Sequence, residues 1–295
     1  MERFLTNCYS LTSINLSSFN TKNVKNMGYF FNNNYSLKNL DISNFDISQV
    51  TNIDSMFYNC SSLTSLDLTN FIDHEVDNMQ DLFEDCKKLK YLNLDNFEGK
   101  LRNMVNAFKN CNSLKYINLP KLKTDETLRV FSLFENCYSL KYLDLSNFSF
   151  KLVDSFQSLF TNCYSLTSIN LSNLNTSNIV NMNYMFENCS KLISLDLSNF
   201  DTRKVLYMDK LFFNCSSLTS LNLNFNTTRV NHMYYMFGFC TSLKSLNINS
   251  FSTNKCNEFG RMFENDTDLN LYITEKTCSN LIKSLPNYIK INYIP

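Results

Sequence analysis

The sequence is poor in glycine, proline, histidine and tryptophan: four, three, two and none in 295 residues. So little glycine excludes a collagen-like chain, glycine-rich linkers and most phosphate-cradling loops. Two histidines leave little room for histidine-based catalysis or histidine metal sites. No run of about 18 apolar residues occurs, so no membrane-inserted helix is expected. The opening MERFLTNCYSL lacks the basic-then-apolar pattern of an export leader. The net charge is +0, which argues against a nucleic-acid partner, because such binders carry a basic excess. What abounds instead is Phe, at 26, and Cys, at 11.

The cysteines mark an internal repeat. Cys8, Cys60, Cys86, Cys111, Cys137, Cys163, Cys189, Cys215 and Cys240 follow one another at 25 or 26 residues, with one double step of 52. Asn34 fills the missing slot and Asp266 continues the series, which makes eleven slots. Three residues after each slot stands Leu, from Leu11 to Leu269, and three before it stands Phe, with Leu5 as the exception. Each unit reads LxxLxLxxF, a polar stretch, then NMxxMFxNC. The L-x-L core alternates with period two and predicts a short strand. Val50, Ile53, Met56 and Phe57 form an i, i+3, i+6, i+7 stripe, which predicts about two helical turns. Such a unit buries both faces only when stacked on its neighbours. Asn precedes the slot at nine positions, from Asn7 to Asn265. Asn is one of the few residues besides Gly that tolerates a left-handed turn, which explains the glycine deficit.

MFYNCSSLTSLDLTNF (56–71) and MFENCSKLISLDLSNFDTRKV (185–205) resemble the repeat of the BspA-like leucine-rich-repeat family of bacterial surface proteins. The resemblance runs from residue 1 to about 270, and LYITEKTCSNLIKSLPNYIKINYI is similar to that family's terminal strand-plus-helix cap. It implies a solenoid displayed on cell surfaces that binds proteins or host ligands without catalysing a reaction. Family members usually carry an export signal, a lipid-anchor cysteine or a wall-anchoring tail; none is legible here, and a cytoplasmic location is the alternative.

Three readings of the cysteine ladder compete. Disulfides between equivalent residues on one line would pair in arbitrary register, and a metal site needs convergent ligands that one line does not supply. A packed, weakly hydrogen-bonded thiol is the expected role. Cys256 falls on a slot held elsewhere by Val50, Val76, Val153 and Val205 and is expected in the core; Cys278 has no assignment. His74 and His232 lie six coils apart, roughly 30 Å, and cannot share a site. No cofactor and no catalytic constellation is expected, so the chain is read as no enzyme. Between the two core leucines of each strand lies Asp or Asn, from Asn15 to Asn247. A recurring residue of this kind points to structure, bonding to the Ser and Thr beside it, whereas a ligand site should break the repeat.

The repeat does break. Five residues after the slot stands Ser or Asn in seven repeats, but Tyr91, Tyr116 and Tyr142 occupy three consecutive ones, preceded by Lys90, Lys115 and Lys141. Residues 86–124 also hold Lys87, Lys88, Lys100, Arg102, Lys109, Lys121 and Lys123, opposed only by Asp95 and Glu98. Exposed Tyr with basic neighbours is typical of contact surfaces; tyrosines stacked on one another without a ligand are the alternative.

The expected fold is an α/β leucine-rich-repeat solenoid of about eleven 25–26-residue coils, each with one short parallel strand and one short helix or turn. Residues 1–270 form the solenoid and 271–295 its C-terminal cap. The expected function is a recognition scaffold for a protein or glycan on the concave sheet. Its site comprises Tyr91, Tyr116, Tyr142, Lys90, Lys115, Lys141, Asn93, Asn118 and Asp144. A structural spacer or stalk is the runner-up. The first repeat lacks a polar cap, so either end-to-end self-association through it or further coils upstream are expected.

Overall fold

The structure, a computed structural model, describes every residue except 73–74, 98–99, 120–127, 147, 149–151, 173, 253, 275–278 and 295. Its coils are legible in the backbone. The Asn before the marker slot adopts a left-handed φ of 55 to 63° at all nine positions, and Asp85 (64°) and Phe239 (63°) take the remaining two. Eleven such turns give eleven coils. A second left-handed residue, four positions earlier, recurs as often: Arg3, Tyr29, Ser55, Asp81 and so on to Arg261. No glycine among the described residues takes such a conformation.

The segment with the helical stripe is a run of turns. The amides of Met27, Tyr29, Phe31 and Asn33 donate to carbonyls of the next coil at 2.8–2.9 Å. Those of Phe30, Asn32 and Asn34 turn back to the carbonyl three residues earlier at 3.1–3.3 Å. An α-helix would use all its amides within the segment; here alternate amides stitch coil to coil. The side chains still face inward, and Val50, Ile53, Met56 and Phe57 are fully buried. The helical turns that the stripe predicts do not form; of the short helix or turn expected in each coil, the turn is the one adopted.

Opposite this ridge lie the strands: β1 (Tyr91–Asn93), β2 (Tyr116–Asn118), β3 (Tyr142–Asp144), β4 (Ser168–Asn170), β5 (Ser194–Leu197), β6 (Ser220–Leu223), β7 (Ser245–Asn247) and β8 (Asn270–Ile273). After them come helix α1 (Ser279–Ser284) and β9 (Lys290–Tyr293). All pairings are parallel: β1–β2, β3–β4, β5–β6 and β7–β8–β9. The strand ladder therefore counts fewer coils than the turn ladder, because the first three coils present the same pattern without regular strand pairing.

The core is a column of rings. Phe31, Phe57, Phe83, Phe108, Phe134, Phe160, Phe186, Phe212, Phe237 and Phe263 stack at centroid distances of 5.2–6.0 Å. Beside it runs the thiol ladder. Each Sγ from Cys60 to Cys240 donates to a Phe carbonyl of the preceding coil at 3.1–3.3 Å. Burial pushes the thiols of Cys60, Cys163 and Cys215 up to about 12, so they stay protonated donors. The expected packed, weakly bonded thiol is what the fold contains. Cys256 is buried as expected, its Sγ directed at the Asn231 and Glu258 carbonyls, and Cys278 lies outside the described residues. On the ridge, Asn side chains form a third ladder: Asn136, Asn162, Asn188 and Asn214 each donate Nδ2 to the Oδ1 of the preceding member, at 2.7–2.8 Å. In the first coil Phe4 is 58% exposed, although it touches Phe19 and Phe30.

Candidate ligand-binding site

Period-two geometry fixes the strand face. In β1, β2 and β3 the central Leu92, Ile117 and Leu143 point inward and the flanking residues outward. Tyr91, Tyr116 and Tyr142 are consequently exposed, at 51%, 52% and 46%. Tyr91 pairs in register with Tyr116, and Asn93 with Asn118. Asn118 Nδ2 donates to the Tyr91 hydroxyl at 3.4 Å. Lys90, Lys115 and Lys141 are exposed at the strand entries, linked through the backbone by the Lys115 amide on the Lys90 carbonyl at 3.0 Å. Their side chains make no ion pair among the described residues.

The Asp and Asn in the strand middles have a local structural role. Eight of the ten accept from the amide two residues on, as Asp41 from Ser43, Asn93 from Asp95, Asp144 from Ser146 and Asn170 from Ser172 at 2.9–3.2 Å, and so close an Asx turn; two residues beyond Asn118 stands Pro120, which has no amide hydrogen to give. The Ser146 amide holds the Asp144 carboxyl below the ordinary carboxylate range, so it is ionised at neutral pH. Partial burial, then the Asp144 charge, raise the Tyr142 hydroxyl.

A cavity of about 230 Å³ opens where the ladder changes from the β1–β2 sheet to the β3–β4 sheet. Asp95, Tyr116, Ile117, Asn118, Leu119, Tyr142 and Asp144 line it. Ile117 and Leu119 are only half-buried, whereas Leu92, Leu94, Leu143 and Leu145 of the adjacent coils are buried. Four of the nine expected site residues thus meet at one opening, with Tyr91 and Asn93 on the neighbouring strand and the lysines at the strand entries. Sequence reading missed Asp95 as a site residue. Its signal was present, since Ser17, Ser43, Thr69, Ser146, Ser172 and Ser198 hold the same repeat position.

The basic stretch does not gather into one patch. Lys87 pairs with Asp85 and Lys109 with Glu135, both at 3.3 Å on the turn ridge. Glu98, Lys121 and Lys123 lie outside the described residues, as does His74. The His232 ring packs at a 40° tilt against Tyr207, centroids 5.3 Å apart, with its Nδ1 3.7 Å from the Asp209 carboxylate. Among the described residues no group of three or more His, Cys, Asp or Glu could hold a metal ion, and no helix is long and apolar enough to cross a membrane.

A family described as "Mycoplasma protein of unknown function, DUF285" matches residues 1–97, 102–195 and 189–288. The chain belongs to this family. A search of the curated proteins gives no match. Solved structures similar to the DUF285 chain include a leucine rich cell surface protein from Faecalibacterium prausnitzii. It is 16% identical over 91% of this chain and 76% of that one, with a TM-score of 0.44. A leucine-rich repeat protein from Eubacterium ventriosum is 18% identical over 82% of this chain and 62% of that one, with a TM-score of 0.47. One from Bacteroides ovatus is 18% identical over 92% and 88%, with a TM-score of 0.30. At these TM-scores the leucine-rich-repeat architecture rests on the coils themselves.

Proposed function

We propose that this DUF285 protein is a non-catalytic recognition scaffold of the surface-adhesin kind, binding a protein or glycan through its strand face around Tyr91, Tyr116 and Tyr142. One observation carries the reading: the three-residue departure from the repeat and a cavity in the strand face fall at the same place. A spacer would scatter its departures. Display at the cell surface or secretion goes with this reading, as does a capping role for residues 271–295, whose β9 extends the last sheet beyond β8.

The test is the triple substitution Tyr91→Ser, Tyr116→Ser, Tyr142→Ser, screened beside the unchanged protein against arrays of glycans and extracellular proteins. Ser is the residue at this position in β4 to β7, so the fold is expected to tolerate it. Binders of the unchanged protein are expected to weaken at least about tenfold, as for interface hot spots. Binders indifferent to the triple change use another face, and the reading then fails.

We also propose end-to-end association through the first coil, supported by the exposed Phe4 ring. Sedimentation across concentrations should show larger species that Phe4→Glu removes; one unvarying mass for both proteins would overturn it.

A further inference from the structure

Three cavities among the described residues allow a comparison of chemistry. One, about 350 Å³, is lined by Phe200–Arg203, Asn224–Asn226 and Ser250. Its acid is already neutralised, because Arg203 donates Nε and Nη2 to the two oxygens of Asp201 at 2.9 and 2.7 Å. A second, about 310 Å³, offers Asp41 with Asn15, Asn44 and two serines, and no aromatic ring. The cavity between β2 and β3 differs from both. It presents two carboxylates, Asp95 and Asp144, two tyrosine rings and the Asn118 amide, and no cation among its lining residues. Neither carboxylate has an ion-pair partner among the described residues.

We infer that this cavity takes the cationic end of an arginine or lysine side chain presented by an extended segment of a protein partner. The inference rests on the proposed recognition role of the strand face and names its ligand chemistry. Aromatic faces attract a cation through the ring quadrupole, and carboxylates add charge-assisted hydrogen bonds. A space of about 230 Å³ lies below the roughly 300–1,000 Å³ of sites that enclose a whole small molecule, which suits a single side chain. The exposed lysines at the strand entries select against a uniformly basic segment, so the fitting partner carries one basic anchor flanked by acidic residues.

The probe is the peptide acetyl-Glu-Gly-Arg-Gly-Glu-amide, with an otherwise identical peptide carrying neutral citrulline for arginine, each titrated by calorimetry or by tyrosine NMR shifts. Two variants remove charge without disturbing the turns. Asp144→Asn keeps an acceptor that Asn93 and Asn170 already use for the same bond, and Asp95→Ser restores the common repeat residue. The arginine peptide is expected to bind at least tenfold more tightly than the citrulline peptide. Each variant is expected to erase most of that difference, and added salt to narrow it. Equal affinity for the two peptides, undetectable binding of the arginine peptide to the unchanged protein, or undiminished binding by Asp95→Ser and Asp144→Asn would overturn the inference. A neutral oligosaccharide such as maltotetraose, bound through the same tyrosines and indifferent to both acid replacements, would also overturn it while leaving the recognition role standing. Binders indifferent to the triple tyrosine change would remove that role itself.

Discussion

Asp266→Asn is expected to stabilise the last coil and to flatten the pH dependence of the protein. Asp266 occupies the marker slot, 1% exposed, and neither of its carboxyl oxygens has a hydrogen-bond partner among the described residues. In eight other coils this slot holds a thiol that donates to a Phe carbonyl of the coil before. Asn34 does the same with its amide, donating to the Leu5 and Phe31 carbonyls at 2.9 Å each. The slot therefore asks for a donor, which a carboxylate is not. The Cys240 amide is engaged with the Phe237 carbonyl at 3.1 Å and relieves the acid only slightly. Burial accordingly pushes the carboxyl up to about 8.

Because the folded value lies above the unfolded one near 3.9, the folded chain binds more protons between the two. Stability from this residue is full below about pH 4, falls as pH rises towards 8, and levels off beyond. The full difference is on the order of 5 kcal/mol as an upper bound, and about 2–5 kcal/mol is expected at pH 8. Asn carries no proton to lose. Hydrogen exchange at Leu269, Leu271 and Ile273 between pH 4 and 9, corrected for intrinsic rates, reads the effect. Parallel pH profiles for the two proteins would show that the buried acid is not what weakens this coil.

Phe160→Ala is expected to cost about 3–5 kcal/mol and to split the solenoid's unfolding in two. Phe160 is fully buried between Phe134 at 6.0 Å and Phe186 at 5.4 Å. Its removal leaves a cavity that neither neighbouring ring can fill, since each is held by the next ring along. Each coil contacts only its neighbours, so the penalty falls on one junction, and the coils on either side keep their own contacts. Urea unfolding followed by probes at each end should give two midpoints in place of one. A single shared midpoint would mean that the coils are coupled over much longer distances than nearest neighbours.

The sequence made the coil count, the Asn turn and the buried thiol legible because each needs a particular residue type at a fixed spacing. The second left-handed residue was invisible for the opposite reason. Arg3, Tyr29, Ser55, Asp81 and Lys210 share no side-chain chemistry, and the conformation is imposed by the carbonyls of the next coil. The stripe through Val50, Ile53, Met56 and Phe57 reported which side chains face inward but not where the amides go, so it could not separate helix from turn. In the candidate site, Tyr91, Tyr116 and Tyr142 stood out against the repeat, while Asp95 did so less visibly among small polar residues. The opening between β2 and β3 depends on backbone pairing that no side-chain pattern encodes.

The three parallel ladders of Phe rings, thiols and Asn amides constrain how this chain can change length. Thiol and amide bonds reach back 26 to 29 residues and the ridge amides reach forward one coil, so an interior coil with the common repeat residues offers one neighbour what the other neighbour offers it. Gain or loss of one whole coil rejoins all three ladders and merely moves the strand face along. A change of a few residues within the ridge puts ring, thiol and amide out of step together. Whole-coil duplication is thus the route by which such a chain can shift or enlarge its reading surface without redesigning its interior.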